Sequence, residues 1–251
     1  MNTGTQLDAR TVELSANLSA LTGRIDAACR AAGRAPESVR LLPVTKFFPA
    51  SDVAILYQLG RREFGESREQ EATAKVAALP ELVGEGDLSD VQWHMIGRLQ
   101  RNKARVVARW AHTVHSVDSE RLAMALDRAA RDALEAGERD TPVRVLLQVS
   151  LDEDPSRGGV APAALDGLAD LIAESEGLQM GGLMAIPPLQ ADTDSAFARL
   201  ATLHTLLLER HPDATELSAG MSSDLEVAVE HGSTCVRVGT ALMGARPITS
   251  A

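Results

Sequence analysis

Lys46 closes an apolar run, Leu41-Leu42-Pro43-Val44-Thr45-Lys46, and is one of only three lysines in the chain, the others being Lys75 and Lys103. All remaining basic side chains are arginines, so a lysine at the end of a buried strand is unlike the rest of the chain's positive charge. A partly desolvated lysine can lose its proton and attack a carbonyl carbon, whereas a guanidinium cannot deprotonate to do so. The plainer alternative is a strand-end lysine whose stem is buried and whose ammonium reaches water. The other residues that the chain brings to strand ends decide between these readings.

Two such groups stand near the C-terminus. Ser222 precedes Ser223-Asp224-Leu225-Glu226, a capping-box pattern that assigns Ser223 to the helix cap and leaves the Ser222 hydroxyl for a ligand oxygen. Gly239 and Thr240 follow Val236-Arg237-Val238 and offer close backbone approach, an amide and a hydroxyl. Loops of this kind after the last two strands of a barrel suit a phosphate, although Ser222 and Thr240 could equally cap local turns. Arg237 alternates with two valines, so its side chain points away from theirs and towards a barrel interior, where it needs either a carboxylate or a ligand acceptor.

The elements that must position these groups follow from periodicity. Apolar residues at Leu14, Leu18, Leu21, Ile25 and Cys29 predict a leading amphipathic helix over about 7–32, which Gly33 can end. Thereafter β-rich runs alternate with helical ones. The strands are expected at 40–46, 62–65, 91–96, 113–117, 143–149, 178–186, 216–218 and 235–238, and the helices at 49–59, 67–79, 99–110, 119–136, 163–175, 192–209 and 223–230. Pro80 to Asp87 reads as a polar connection. Eight strand-helix units in 251 residues predict an α/β fold of the (β/α)8 TIM-barrel type, one domain over 1–251 with the barrel proper at about 40–246. A doubly wound sheet is the rival, but the first strand is not followed by GxGxxG.

Composition narrows the function. A net charge of -10 argues against nucleic-acid binding or docking on an anionic membrane, and the opening residues have neither the basic nor the apolar part of a signal peptide. The cytoplasm is the expected compartment. Cys29 and Cys235 read as small buried hydrophobes, and the six histidines show no metal-ligand spacing, so no metal is expected. His94 reads as an ordinary hydrogen-bonded histidine, Asp152-Glu153-Asp154 as a solvated loop, and Arg98 to Arg109 as an exposed helix face.

An amine on strand one, an arginine on strand eight and a phosphate cradle between strands seven and eight suggest pyridoxal 5'-phosphate (PLP) held as a Schiff base. The segments Val44-Thr45-Lys46, Phe64-Gly65-Glu66, Trp93-His94-Met95-Ile96-Gly97-Arg98-Leu99-Gln100-Arg101-Asn102-Lys103, Gly182 to Pro187, Leu217 to Ser222 and Val236 to Arg246 resemble the pyridoxal phosphate homeostasis proteins, single-domain barrels similar to the N-terminal domain of alanine racemase. The resemblance implies PLP on Lys46, with Ser67, Met221, Ser222, Arg237, Gly239 and Thr240 completing the cofactor site. Within it Ser222, Gly239 and Thr240 match phosphate-binding positions, and Arg237 matches the residue facing the pyridine nitrogen. A permanent cation there disfavours protonation of the ring and weakens it as an electron sink, so catalysis is expected to be weak or absent.

Two departures stand out: Ser67 where the family commonly has Asn, and Arg157 where a lysine is common. The expected role is intracellular PLP homeostasis by a monomer that holds the cofactor and delivers it to apo-enzymes, with no catalytic residue. The alternatives are a racemase-like PLP enzyme, for which a tyrosine-supplying second domain is missing after Arg246, and a cofactor-free Schiff-base aldolase.

Overall fold

The computed structural model describes residues 3–84, 86, 88–151, 158–188 and 192–246, the side chains of 3–6 excepted. The elements run α1 (Thr3–Ala31), β1 (Arg40–Pro43), α2 (Ala50–Gln58), β2 (Glu63–Glu66), α3 (Glu69–Val83), β3 (Gln92–Met95), α4 (Ala104–Trp110), β4 (Ala111–Val117) and α5 (Glu120–Glu135). They continue with β5 (Val143–Gln148), α6 (Leu165–Ala173), β6 (Leu178–Met184), α7 (Thr193–Arg210), β7 (Glu216–Ser218), α8 (Leu225–Glu230), β8 (Cys235–Val238) and α9 (Thr240–Met243). All eight strands pair in parallel in the order β1-β8-β7-β6-β5-β4-β3-β2. The circle closes between β1 and β2 through a parallel bridge from Val44 to Gly65 and a 3.0 Å bond from the Thr45 amide to the Gly65 carbonyl. This is the barrel expected from the alternating pattern, with α1 added outside it.

Several boundaries differ from expectation. The β1 ladder stops at Pro43, so Lys46 stands three residues past the strand, where the chain is already turning. Helix α3 runs on through Pro80 to Val83: the proline removes one amide bond near the helix end, and its own carbonyl still accepts the Gly84 amide at 3.0 Å. The third barrel helix is divided into a 3-10 turn at Arg101–Lys103 and α4. The segments Asp152–Asp154 and Ser156–Arg157, and with them the substituted arginine, lie outside the described residues.

Outward-pointing strand residues fill two apolar layers beneath the helices. One contains Val107, Leu126, Leu147, Leu168, Leu183 and Phe197 on the β3–β7 side. The other joins Leu14, Leu21 and Ile25 of α1 to Phe64, Trp93, Leu225, Val229, Val236 and Val238. The alternate residues project inward, and here the barrel departs from the bulky aliphatic filling usual for its class. Arg40, Glu63, His94, His115, Arg144, Glu216, Ser218 and Arg237 form a polar column, with Leu42 and Leu146 among them. Gly181 and Gly182 make room for it: a Cβ on Gly181 would lie 2.8 Å from Arg144 Nε, and one on Gly182 would collide with the Glu216 carbonyl.

Candidate functional site

Lys46 is half-buried at the C-terminal mouth of the barrel. Its pKa is lowered from 10.5, first by burial and then by the positive charges of Arg246, Arg237 and Arg68, against which Glu66 pulls upward. A lysine so placed holds its neutral form at lower pH than a free one does, which is what nucleophilic attack on a carbonyl requires.

The next residue, Phe47, takes φ of 70°, the left-handed region that bulky residues avoid. Its amide donates to Glu71 Oε2 at 3.1 Å. Its ring lies 4.7 Å from the guanidinium carbons of both Arg68 and Arg246 and 5.9 Å from Lys46 Nζ. The aromatic ring thus gathers two guanidinium groups beside the amine, a favourable contact for each that keeps them adjacent despite their repulsion. Nothing in sequence marks a phenylalanine for a left-handed backbone, and Phe47, Arg68 and Glu71 are additions of the structure.

Behind the amine is a buried cluster. Glu66 Oε1 accepts from Lys75 Nζ at 2.6 Å and from the Thr45 hydroxyl at 2.5 Å, and Lys75 also donates to the Thr45 carbonyl at 2.8 Å. Burial raises the Glu66 pKa, opposed by Lys75 and by the hydrogen bonds from Lys75 and Thr45. Its second oxygen, Oε2, is buried without a partner. The scarcity of lysine was the one available signal: Lys75, on α3, anchors the segment that carries Lys46 through the Thr45 carbonyl.

The expected phosphate loops lie together. The Ser222 hydroxyl accepts from the Ala241 amide at 3.3 Å, tying the loop after β7 to the start of α9. Gly239 immediately precedes α9, and Thr240, its first residue, is exposed. The capping assignment is corrected: α8 begins at Leu225, and Asp224 Oδ1 accepts the Met221 amide at 2.5 Å, so the loop is shaped by Asp224 and not by a Ser223 cap. Ser67 follows β2, where its backbone packs so closely on the next loop that a Cβ at Gly97 would collide with the Ser67 carbonyl.

Helix α1 braces these loops from outside. Arg24 donates to the Ser222 carbonyl at 3.2 Å, Asn17 to the Leu242 carbonyl at 2.9 Å and Arg10 to the Met243 carbonyl at 2.9 Å. The carbonyls that close α9 are thereby satisfied by side chains more than 200 residues away in sequence.

Arg237 is 5 % exposed and does face the interior. Its partners are the Ser218 hydroxyl at 2.7 Å and the Ala185 carbonyl at 3.0 Å, with no carboxylate among them. Burial lowers its pKa, yet a guanidinium remains charged. The two cysteines are fully buried, and burial pushes the Cys235 thiol up to about 12, so it behaves as an apolar filler. Among the described residues no group of three His, Cys, Asp or Glu side chains is placed to hold a metal ion, and no helix is long and apolar enough to cross a membrane.

The chain that forms this barrel is matched over residues 16–247 by the family model of the alanine racemase N-terminal domain. Likeness to alanine racemase from Corynebacterium glutamicum is one of fold, at 17% identity and a TM-score of 0.63, with 93% of this chain aligned to 62% of that one. Within that class the chain belongs to the pyridoxal phosphate homeostasis protein family. It is 56% identical over 247 residues to the Mycobacterium tuberculosis (strain ATCC 25618 / H37Rv) protein of that name, covering 96% of each chain. Its identity to the Escherichia coli (strain K12) protein is 37% over 237 residues, covering 93% of this chain and 97% of the other. PipY of Synechococcus elongatus PCC7942, whose structure has PLP bound, is 38% identical with a TM-score of 0.76, aligned over 92% of this chain and all of PipY.

Proposed function

We propose that this chain binds pyridoxal 5'-phosphate in intracellular PLP homeostasis, holding the cofactor at Lys46 and releasing it to apo-enzymes. The observation that carries this reading is the half-buried Lys46 amine, with its lowered pKa, among Arg68, Arg237 and Arg246. The residues fit the cofactor: an excess of positive charge suits a phosphate dianion, and Glu66, whose Oε2 is an acceptor without a partner, is near enough for its charge to act on Lys46. When bound, PLP supplies an aldehyde carbon, which a neutral lysine amine joins in a C=N bond with release of one water.

The protein's own groups would then act as follows. Lys46 provides the nucleophile, kept partly neutral by burial and by its cationic neighbours. Ser222, Gly239 and Thr240 present hydroxyls and amides to the phosphate, with Met221 shaping the approach and α1 fixing the loop carbonyls. Ser67 would lie at the ring side. Arg237 would be the residue facing the pyridine nitrogen and, as a guanidinium that stays charged, would disfavour protonation there.

That last feature supports a carrier and not a catalyst, since a ring left unprotonated would be a weak electron sink. Family names of the relatives support the same role. The reading further includes a single barrel domain acting as a cytoplasmic monomer. The test is absorption spectroscopy with added PLP, borohydride reduction and peptide mapping in wild type and Lys46→Ala. The expected result is a stable adduct on Lys46 alone, lost in the variant, with no racemase turnover of amino acids. Absence of the adduct from the wild type would sink the reading.

A further inference from the structure

The polar column inside the barrel contains one uninterrupted line of contacts. Arg237 Nη1 donates to Ser218 Oγ at 2.7 Å, Ser218 Oγ lies 3.0 Å from His115 Nδ1, and His115 Nε2 lies 2.9 Å from His94 Nδ1. His94 Nε2 then faces Glu63 Oε2 at 3.5 Å, and that oxygen accepts from Arg40 at 2.9 Å. His94, His115 and Ser218 are wholly inaccessible to solvent.

The proton positions along this line are decided from one end. A bare lone pair on His94 Nε2 would face a carboxylate, so Nε2 carries the proton, even though 3.5 Å is too long for a full hydrogen bond. A neutral ring then leaves His94 Nδ1 as acceptor, which requires the proton of His115 on Nε2 and makes His115 Nδ1 an acceptor in turn. The Ser218 hydroxyl must therefore donate to His115 and accept from Arg237, which can only donate. Both rings are held neutral by complete burial, reinforced by the arginines around them.

We infer that His115 and His94 are positioning residues of the cofactor site, a single-tautomer relay that orients the Ser218 hydroxyl and, through it, fixes the guanidinium of Arg237 from below. The inference rests on the PLP reading for its consequence, though the relay itself is a property of the ligand-free protein. A guanidinium bonded on one edge to Ser218 and Ala185 cannot turn, so its remaining N–H groups present one fixed face to the mouth of the barrel. An aliphatic interior would fill the same space, but it would leave the Ser218 hydroxyl free to rotate and the arginine free to follow it.

The test has two parts. In the full-length chain labelled with 15N-histidine and free of ligand, His94 and His115 should both show a protonated Nε2 and an unprotonated Nδ1. In PLP titrations, Ser218→Ala and His115→Phe should each weaken binding by about tenfold and shift both the absorption maximum of the bound cofactor and its pH profile, while His115→Gln, which keeps an acceptor and a donor, should stay within about threefold of wild type. Wild-type spectra, pH profiles and affinity in folded Ser218→Ala would overturn the inference, as would an Nδ1-protonated tautomer at either histidine. If His115→Phe does not fold, Ser218→Ala, which removes one oxygen, decides alone. If the wild type forms no Lys46 adduct, the PLP reading fails separately, and the ligand-free tautomers still judge the relay.

Discussion

The two ends of the barrel carry similar positive charge and treat it in opposite ways. At the N-terminal end Arg40 pairs with Glu63 at 2.9 Å and with Glu216, and Arg144 Nε lies 3.4 Å from Glu216, so both of these inner arginines have a carboxylate. At the C-terminal end Lys46, Arg237 and Arg246 share one mouth with no carboxylate paired to them among the described residues, since Glu66 is already engaged by Lys75 and Glu71 by Arg68. Buried or half-buried charge is tolerated when paired, and an unpaired concentration of one sign is tolerated only where something else supplies the counter-charge. The compensated end holds the fold together; the uncompensated end is built around an anion.

The largest effect should come from undoing the compensation. Glu216→Ala leaves Arg40 and Arg144 short of their partner inside the barrel, and about 3 kcal/mol of stability should be lost, read from the urea midpoint at constant slope. Supplying the missing anion should do the reverse at the other end. PLP at a hundredfold excess over its dissociation constant should stabilise the wild type by about 2.7 kcal/mol, and a phosphate-free pyridoxal should stabilise it less at the same concentration. A salt-insensitive, phosphate-insensitive response would mean that the upper cations do not serve a ligand.

A smaller change tests the brace on the loops. Asn17→Ala frees the Leu242 carbonyl and should cost about 1 kcal/mol in PLP affinity with the Lys46 adduct intact, measured by equilibrium titration. The smallest effect concerns pH. Because burial and nearby cations lower the folded-state pKa of Lys46 below 10.5, the rate of PLP capture should rise with pH and level off above that folded value. Arg246→Gln removes one of those cations, so the rise should move to higher pH and capture at neutral pH should slow by about twofold. The same shift has a stability sign: the unfolded chain holds the Lys46 proton more tightly, so stability should increase as pH climbs from the folded pKa towards 10.5.

Much of this was legible because parallel strands buried on both sides write themselves as short apolar runs, and because barrel chemistry gathers where such runs end. Lys46, Arg237 and the Ser222 and Gly239 loops could be assembled on that basis alone. The filling of the barrel could not. His94, His115 and Glu216 look like ordinary polar residues in alternating strands, and only the closed circle reveals that they meet one another. Local rules also failed where a neighbour outbid them: the Ser223 capping box gave way to Asp224 bonding the Met221 amide, and Pro80 was absorbed into a helix end. Helix α1 was read correctly as a helix, but its purpose lies in bonds from Arg10, Asn17 and Arg24 to residues that no local pattern connects with them.

Those bonds impose an order on how the molecule comes into being. Residues 10–24 leave the ribosome well before the carbonyls at 222–243 that they grip, and wait for them. Loop closure over such a span is slow and comes late in folding. A nascent chain can therefore stack most of its barrel before it has any finished cradle for an anion, and a reactive aldehyde meets a competent pocket only once the last turn has docked under the first helix.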